Sequence, residues 1–332
     1  SNTQRSLGGG MASRAWSPII RILFTALTVL TSVSWETTSV KADSGGTCQI
    51  AYGLTPTSIP DWLMPATENT NLTTANRYDV LAAELLSSGL VDGATCPALG
   101  LNPDGSANGC GIELTHDQVL TWQNQFDPVI LSSSQAAELP PKVVKAVIAV
   151  ESQFWPAANW TLGEIGLGQM TTYGADLVLM WRPAYFQSIC RQTYGEKGCT
   201  TQYQFLDSST QFLLRGMVLR DIEATCPNCP GGVDLEKGNQ AIRVLTETLN
   251  ASCLQSARIF NLVTGKQPAA LLSYDDYWRL VLANYHAGAR CVYQALRKTG
   301  NPNSWNSIAA NFSSGCASGA EYIRRIEGQI KP

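Results

Sequence analysis

The chain has 332 residues, of which 44% are hydrophobic and 15% charged, with a formal net charge of −3. That composition belongs to a folded chain of one large or two ordinary domains and excludes a disordered one. It shows no basic excess, which argues against a nucleic-acid partner.

Residues 1–10 precede Met11 and carry no fold signal. Residues 11–42 read as a signal peptide. Arg14 and Arg21 supply positive charge, Ile22 to Val33 is a short apolar run, and Val40-Lys41-Ala42 offers small or medium residues at a cleavage point. The alternative is a retained membrane anchor, for which the run is short. Gly45-Gly46-Thr47-Cys48 does not form a lipoprotein box, so no stable membrane insertion is expected after signal removal. Removing residues 1–42 takes away Arg5, Arg14, Arg21, Lys41 and Glu36 and moves the formal charge from −3 to −6. All ten cysteines lie between Cys48 and Cys316, as expected of a secreted or periplasmic protein whose exported part carries disulfides.

Residues 43–111 are rich in Thr, Ser, Pro, Gly and Asn and read as an N-terminal arm clipped to the main domain by disulfides. Its clear helix is Arg77 to Leu90, and Pro97 to Gly111 reads as a loop with turn signals at Pro103-Asp104-Gly105 and Asn108-Gly109. From residue 112 onward the signals are helical, and no strand pattern of any length is present, so the fold class is mainly α. Thr115 is placed as an N-cap. Pro140 and Pro141 suit a helix start, and Val143 to Val150 are apolar nearly all round, so this helix should be buried on most sides. Its last turn carries one acid, Glu151. Apolar surroundings and the negative end of the helix dipole both disfavour the charged carboxylate, so its pKa should rise. The plain alternative is a solvated helix-end residue.

Thr172 to Trp181 is a further helix. Residues 185–267 hold Ser209 to Ala224 and Ala251 to Val263 as helices, together with five cysteines. Cys226-Pro-Asn-Cys229 lacks a second half-site for zinc and any βαβ context for redox work, so it is read as a disulfide. Cys190 with Cys199 and Cys291 with Cys316 are local pairs of the kind expected. Tyr274 to Cys291 is a strongly apolar helix ending near Gly288.

Glu151-Ser152-Gln153-Phe154 is followed, eighteen positions after the acid, by Gln169 within Gly166-Leu167-Gly168-Gln169-Met170, and later by Ala283-Asn284-Tyr285-His286-Ala287-Gly288. These three stretches resemble, in order, the motifs of the lytic transglycosylase family with the soluble-transglycosylase (SLT), lysozyme-like domain: E-S-x-F, G-L-M-Q and A-x-Y-N-A-G. The departures are Gly168 for Met, Trp160 for Ser, Glu164 for Ala and His286 for Asn. The resemblance covers about residues 137–172 and 270–300. It implies a lysozyme-like helical domain over 112–332, with the helices of about 185–267 as an insertion. It also implies Glu151 and Tyr285 as catalytic residues, Tyr285 orienting the acid. Ser152, Gln169, Met170, Glu164 and His286 are then expected to line the saccharide cleft. Taken alone, Tyr285 reads equally as a core aromatic, His286 as a helix-end residue and Glu164 as a loop carboxylate. Trp155 and Trp160 are candidates for sugar stacking or for core packing.

The implied activity is cleavage of the β-1,4 bond between N-acetylmuramic acid and N-acetylglucosamine in peptidoglycan strands, giving 1,6-anhydro products without metal or other cofactor. Two alternatives stand beside it. One is a lysozyme-type hydrolase with Glu164 as the water-activating base, since goose-type lysozymes place an acid at a similar interval. The other is a wall-binding module without turnover.

Overall fold

The computed structural model describes residues 47–330. The expected signal peptide, residues 11–42, lies outside them.

Thirteen α-helices follow one another among the described residues: α1 (Cys48–Tyr52), α2 (Asp79–Ser87), α3 (Gly109–Asn124), α4 (Asp127–Ala136), α5 (Pro141–Ser152), α6 (Thr172–Trp181), α7 (Pro183–Tyr194), α8 (Ser208–Ile222), α9 (Leu235–Thr264), α10 (Tyr274–Ala287), α11 (Ala289–Thr299), α12 (Trp305–Ala309) and α13 (Ser318–Ile330). Short 3-10 turns and four isolated β-bridges complete the described residues, so the fold is mainly α. None of these helices is long and apolar enough to cross a membrane.

The helix with the continuous apolar run is the one most enclosed. In α5 every residue from Val143 to Val150 is buried, and only Lys142, Glu151 and Ser152 are partly open. Pro140 caps its start in extended backbone, with Pro141 in the first turn. Helices α4 and α13 pack along its sides.

The other organising element is α9, thirty residues long and about 45 Å at 1.5 Å per residue. Asp234 caps it by accepting from the Glu236 and Lys237 amides. The expected helix Ala251 to Val263 is only its C-terminal part. α1, α4, α6, α8, α10 and α11 all lean on α9. Small and polar side chains let them approach closely. Asn250 donates to the Ala137 carbonyl (2.9 Å), and Ser252 donates to the Val281 carbonyl (2.9 Å). The buried Asn250 amide nitrogen and Ser252 hydroxyl thus each have a partner.

Further sequence expectations shift. The helix assigned to begin at Thr115 begins at Gly109, capped by Asn108, whose side chain accepts from the Gly111 amide at 3.0 Å. The Asn-Gly pair that signalled a turn is therefore a helix cap. Thr115 lies inside the helix, fully buried, and donates back to the Gly111 carbonyl at 2.8 Å. The helix expected over Arg77 to Leu90 is shorter at both ends, Asp79–Ser87.

All ten cysteines are paired: Cys48–Cys253, Cys96–Cys110, Cys190–Cys199, Cys226–Cys229 and Cys291–Cys316. The first ties the N-terminal stretch to α9 across 205 positions. Tyr52 and Trp62 add to the clip, donating to the Leu272 carbonyl (2.8 Å) and to Asp275 (2.6 Å).

Candidate active site

Glu151 stands one residue before the end of α5, with its side chain 15% exposed. Burial pushes its carboxyl up to about 7; Tyr322 and Arg325 pull against that rise, and Glu164 adds to it by charge repulsion. The helix C-terminus acts in the same direction as burial. The carboxyl is therefore protonated for much of the time near neutral pH, which a surface glutamate is not.

The chain leaves α5 through strained backbone. Gln153 and Phe154 both adopt positive φ (45° and 67°), and Gln169 does so too (47°). These are half of the six non-glycine residues with positive φ among those described, and they flank the acid. Each costs about 1–2 kcal/mol and persists only because neighbours hold it. The Gln153 side chain accepts from the Val80 amide (2.9 Å), and Trp122 donates to the Phe154 carbonyl (2.9 Å). Trp155 stacks on Trp122 with ring centroids 5.3 Å apart, so it belongs to this bracing. Trp160 is 68% exposed at the tip of the turn that pairs Asn159 with Glu164.

A second turn follows directly, closed by the pairing of Ile165 with Met170. Gly166 has φ +72°, and a Cβ there would sit 3.0 Å from the Ile222 carbonyl oxygen and 3.2 Å from the Ala241 Cβ. α8 and α9, within the expected insertion, therefore support the turn from below. At Gly168 a Cβ would meet the Tyr285 hydroxyl at 3.0 Å and Leu245 at 3.1 Å. This tightness accounts for glycine where the resembling motif has methionine. Ser152 donates to the Leu167 carbonyl (2.8 Å) and fastens the turn to the end of α5. The Gln169 side chain donates to the Gly166 carbonyl (2.8 Å). Met170 is buried and packs beneath the turn.

Opposite lie α10 and α13. Tyr285 donates its hydrogen bond to the Gly168 carbonyl at 2.6 Å. The phenol expected to orient the acid gives its one proton to the glycine turn and acts on Glu151 through charge. The phenol beside the carboxyl is Tyr322. Its fully buried hydroxyl interacts with Glu151 but does not reach ordinary hydrogen-bond geometry. The His286 ring stacks flat on Tyr322, 4.3 Å between centroids and 6° between planes, with Nδ1 4.0 Å from the Glu151 Oε1. Arg325 donates to the Val150 carbonyl at 2.9 Å and lends positive charge nearby.

Of the residues expected at the site, Glu151, Ser152, Glu164, Gln169, Tyr285 and His286 gather around one carboxyl and its turn, with Met170 beneath. Tyr322 and Arg325 were not anticipated. Their helix shows an apolar stripe of Tyr322, Ile323 and Ile326, which marks Tyr322 as core and gives no sign that its hydroxyl meets an acid. Among the described residues no group of three or more His, Cys, Asp or Glu side chains converges to hold a metal ion. No protein family, curated protein or solved structure matches this chain.

Proposed function

We propose that this chain is an exported peptidoglycan lytic transglycosylase with a lysozyme-like domain. The observation that carries the reading is the enclosed carboxyl of Glu151, pushed to about 7 by burial and set against a glycine turn. A carboxylic acid that keeps its proton near neutral pH can deliver it to a glycosidic oxygen. The gathering of all three motif stretches around that carboxyl supports the same reading, and the five disulfides support an oxidising compartment.

In this reading Glu151 protonates the oxygen leaving from the muramyl residue. The substrate's own N-acetyl group takes the place of a second carboxylate, the substrate-assisted exception among glycosidases. The carboxylate so formed then accepts the proton of the muramyl 6-hydroxyl as that oxygen closes the 1,6-anhydro ring. Glu151 ends the cycle protonated, as it began. Ser152 and Tyr285 keep the turn of Gly166 to Gln169 against the acid, which positions the strand relative to the proton donor.

A hydrolase remains the second reading, because Glu164 lies close enough to repel the charge of Glu151. In that case Glu164 activates water. Mass spectrometry of the products released from purified sacculi separates the two. Anhydro-ended muropeptides are expected; reducing-ended products establish the hydrolase instead, and no release at all leaves a wall-binding module.

A further inference from the structure

Glu151 has beside it one other group able to exchange a proton near neutral pH. His286 is the penultimate residue of α10, and its ring is held by the flat stack on Tyr322. That stack fixes the ring plane and keeps Nδ1 4.0 Å from the Glu151 carboxyl, so a small side-chain adjustment brings the pair to hydrogen-bond length. The imidazole side chain is still 30% exposed, which leaves it a route to solvent.

The charged and titratable groups around the imidazole come from three elements. Glu151 faces it from α5, Tyr322 and Arg325 from α13, and Tyr285 is its neighbour on α10. Glu164 acts on Glu151 from the turn. Burial keeps both tyrosines in their neutral form. Arg325 stays positive and opposes a second cation on His286; burial, the larger influence, does the same, so His286 lies below its ordinary value. Burial meanwhile lifts Glu151. In water a glutamate is the stronger acid by about two pH units. Here burial reverses that order, and Glu151 holds its proton more firmly than His286 does.

We propose that Glu151 and His286 hold one proton between them, and that His286 is a positioning residue that sets the pH range over which the acid works. The exchange is a proton transfer alone: carboxylic acid with neutral imidazole on one side, carboxylate with imidazolium on the other. The productive form is the first. A second proton places an imidazolium beside the acid and beside the cationic character that develops on the sugar. Loss of the shared proton leaves no donor. Activity is therefore confined between two macroscopic steps that belong to the pair.

The consequence for activity rests on Glu151 being the acid, but the sharing of the proton can be read without any substrate. The chain has two histidines, and exposed His116 serves as internal reference. Histidine-labelled intact, disulfide-bonded protein is titrated by NMR alongside Glu151→Gln and His286→Asn. His286 should show two steps, collapsing to one in Glu151→Gln, while His116 is unmoved by either substitution. On peptidoglycan, His286→Asn should lose the acid limb of the rate profile, where the parent falls about tenfold per pH unit below the lower step. His286→Gln repeats the measurement if the first variant does not fold. A single His286 step unaffected by Glu151→Gln overturns the proposal, as does an acid limb unchanged in both His286 variants. Two steps in a protein that cleaves no peptidoglycan at any pH uphold the shared proton and refute the transglycosylase reading.

Discussion

Helix α5 buries two ionisable side chains about 9 Å apart along its axis, Lys145 and Glu151, and treats them oppositely. Lys145 is 4% exposed, and its ammonium reaches Asp127, the Asn124 side chain and the Leu72 carbonyl, each at 2.7 Å. Burial presses both Lys145 and Asp127 toward their neutral forms, and each pulls the other back. The compensated charge joins α4, α5 and the N-terminal stretch. Among the described residues no permanently charged side chain is in ion-pair contact with Glu151. Around it stand a phenol, an imidazole and Arg325, whose Nη2 donates to the Val150 carbonyl. A buried charge with all its partners is architecture; a buried acid without them keeps its proton near neutral pH, the form from which a proton can be delivered.

The contrast is broken most severely by Glu151→Gln, which keeps the shape and removes the proton. Peptidoglycan turnover should fall about 10²–10⁴-fold with the circular dichroism unchanged. The same variant should be more stable than the parent in alkali. A carboxyl raised from 4.5 to about 7 contributes its stability fully below pH 4.5 and loses it as pH rises through 7. Glutamine does not titrate. The advantage over the parent should thus be absent at pH 4 and on the order of 3 kcal/mol at pH 8. Equal urea midpoints for variant and parent at pH 8 would show that folding does not raise Glu151.

Lys145→Met tests the other half. It leaves Asp127 buried without its cation and should cost about 3–5 kcal/mol in urea unfolding. Adding Asp127→Leu should recover most of that loss. If the double variant is as unstable as the single one, packing and not charge is what Lys145 supplies.

Smaller effects sharpen the description of the acid's surroundings. Tyr322→Phe removes the hydroxyl that favours the Glu151 carboxylate, so the alkaline limb of the rate profile should move to higher pH. An alkaline limb that does not move in this variant shows that Tyr322 does not act on the carboxyl.

Glu164→Gln should have the least effect, within about threefold, because in the proposed reaction the substrate's acetamido group stands where a second carboxylate would act. A loss of 10²-fold or more with reducing-end products would replace the transglycosylase by a hydrolase.

Much of the local structure was legible in residue order. The apolar run from Val143 to Val150 dictated a helix buried on most sides, and the proline pair marked where it starts. Thr172–Trp181 and the break at Gly288 followed from local signals in the same way. The raised pKa of Glu151 was foreseeable too, since it needs only an acid at the C-terminal end of an apolar helix. Thr115 shows the limit even locally: its preference for caps was outweighed by the Asn108 cap and by the partner it found at the Gly111 carbonyl. What no run of residues could specify was which hydroxyl meets the acid. Tyr285 and Tyr322 both sit on apolar helix faces, and only the placing of α10 and α13 beside α5 sends one to the Gly168 carbonyl and the other to Glu151. The same holds for Lys145, which follows Val144 in an apolar run and finds its partners 18, 21 and 73 positions away. Helix type follows from spacing along the chain, whereas partners across the core depend on how helices pack, and that is decided by the whole molecule at once.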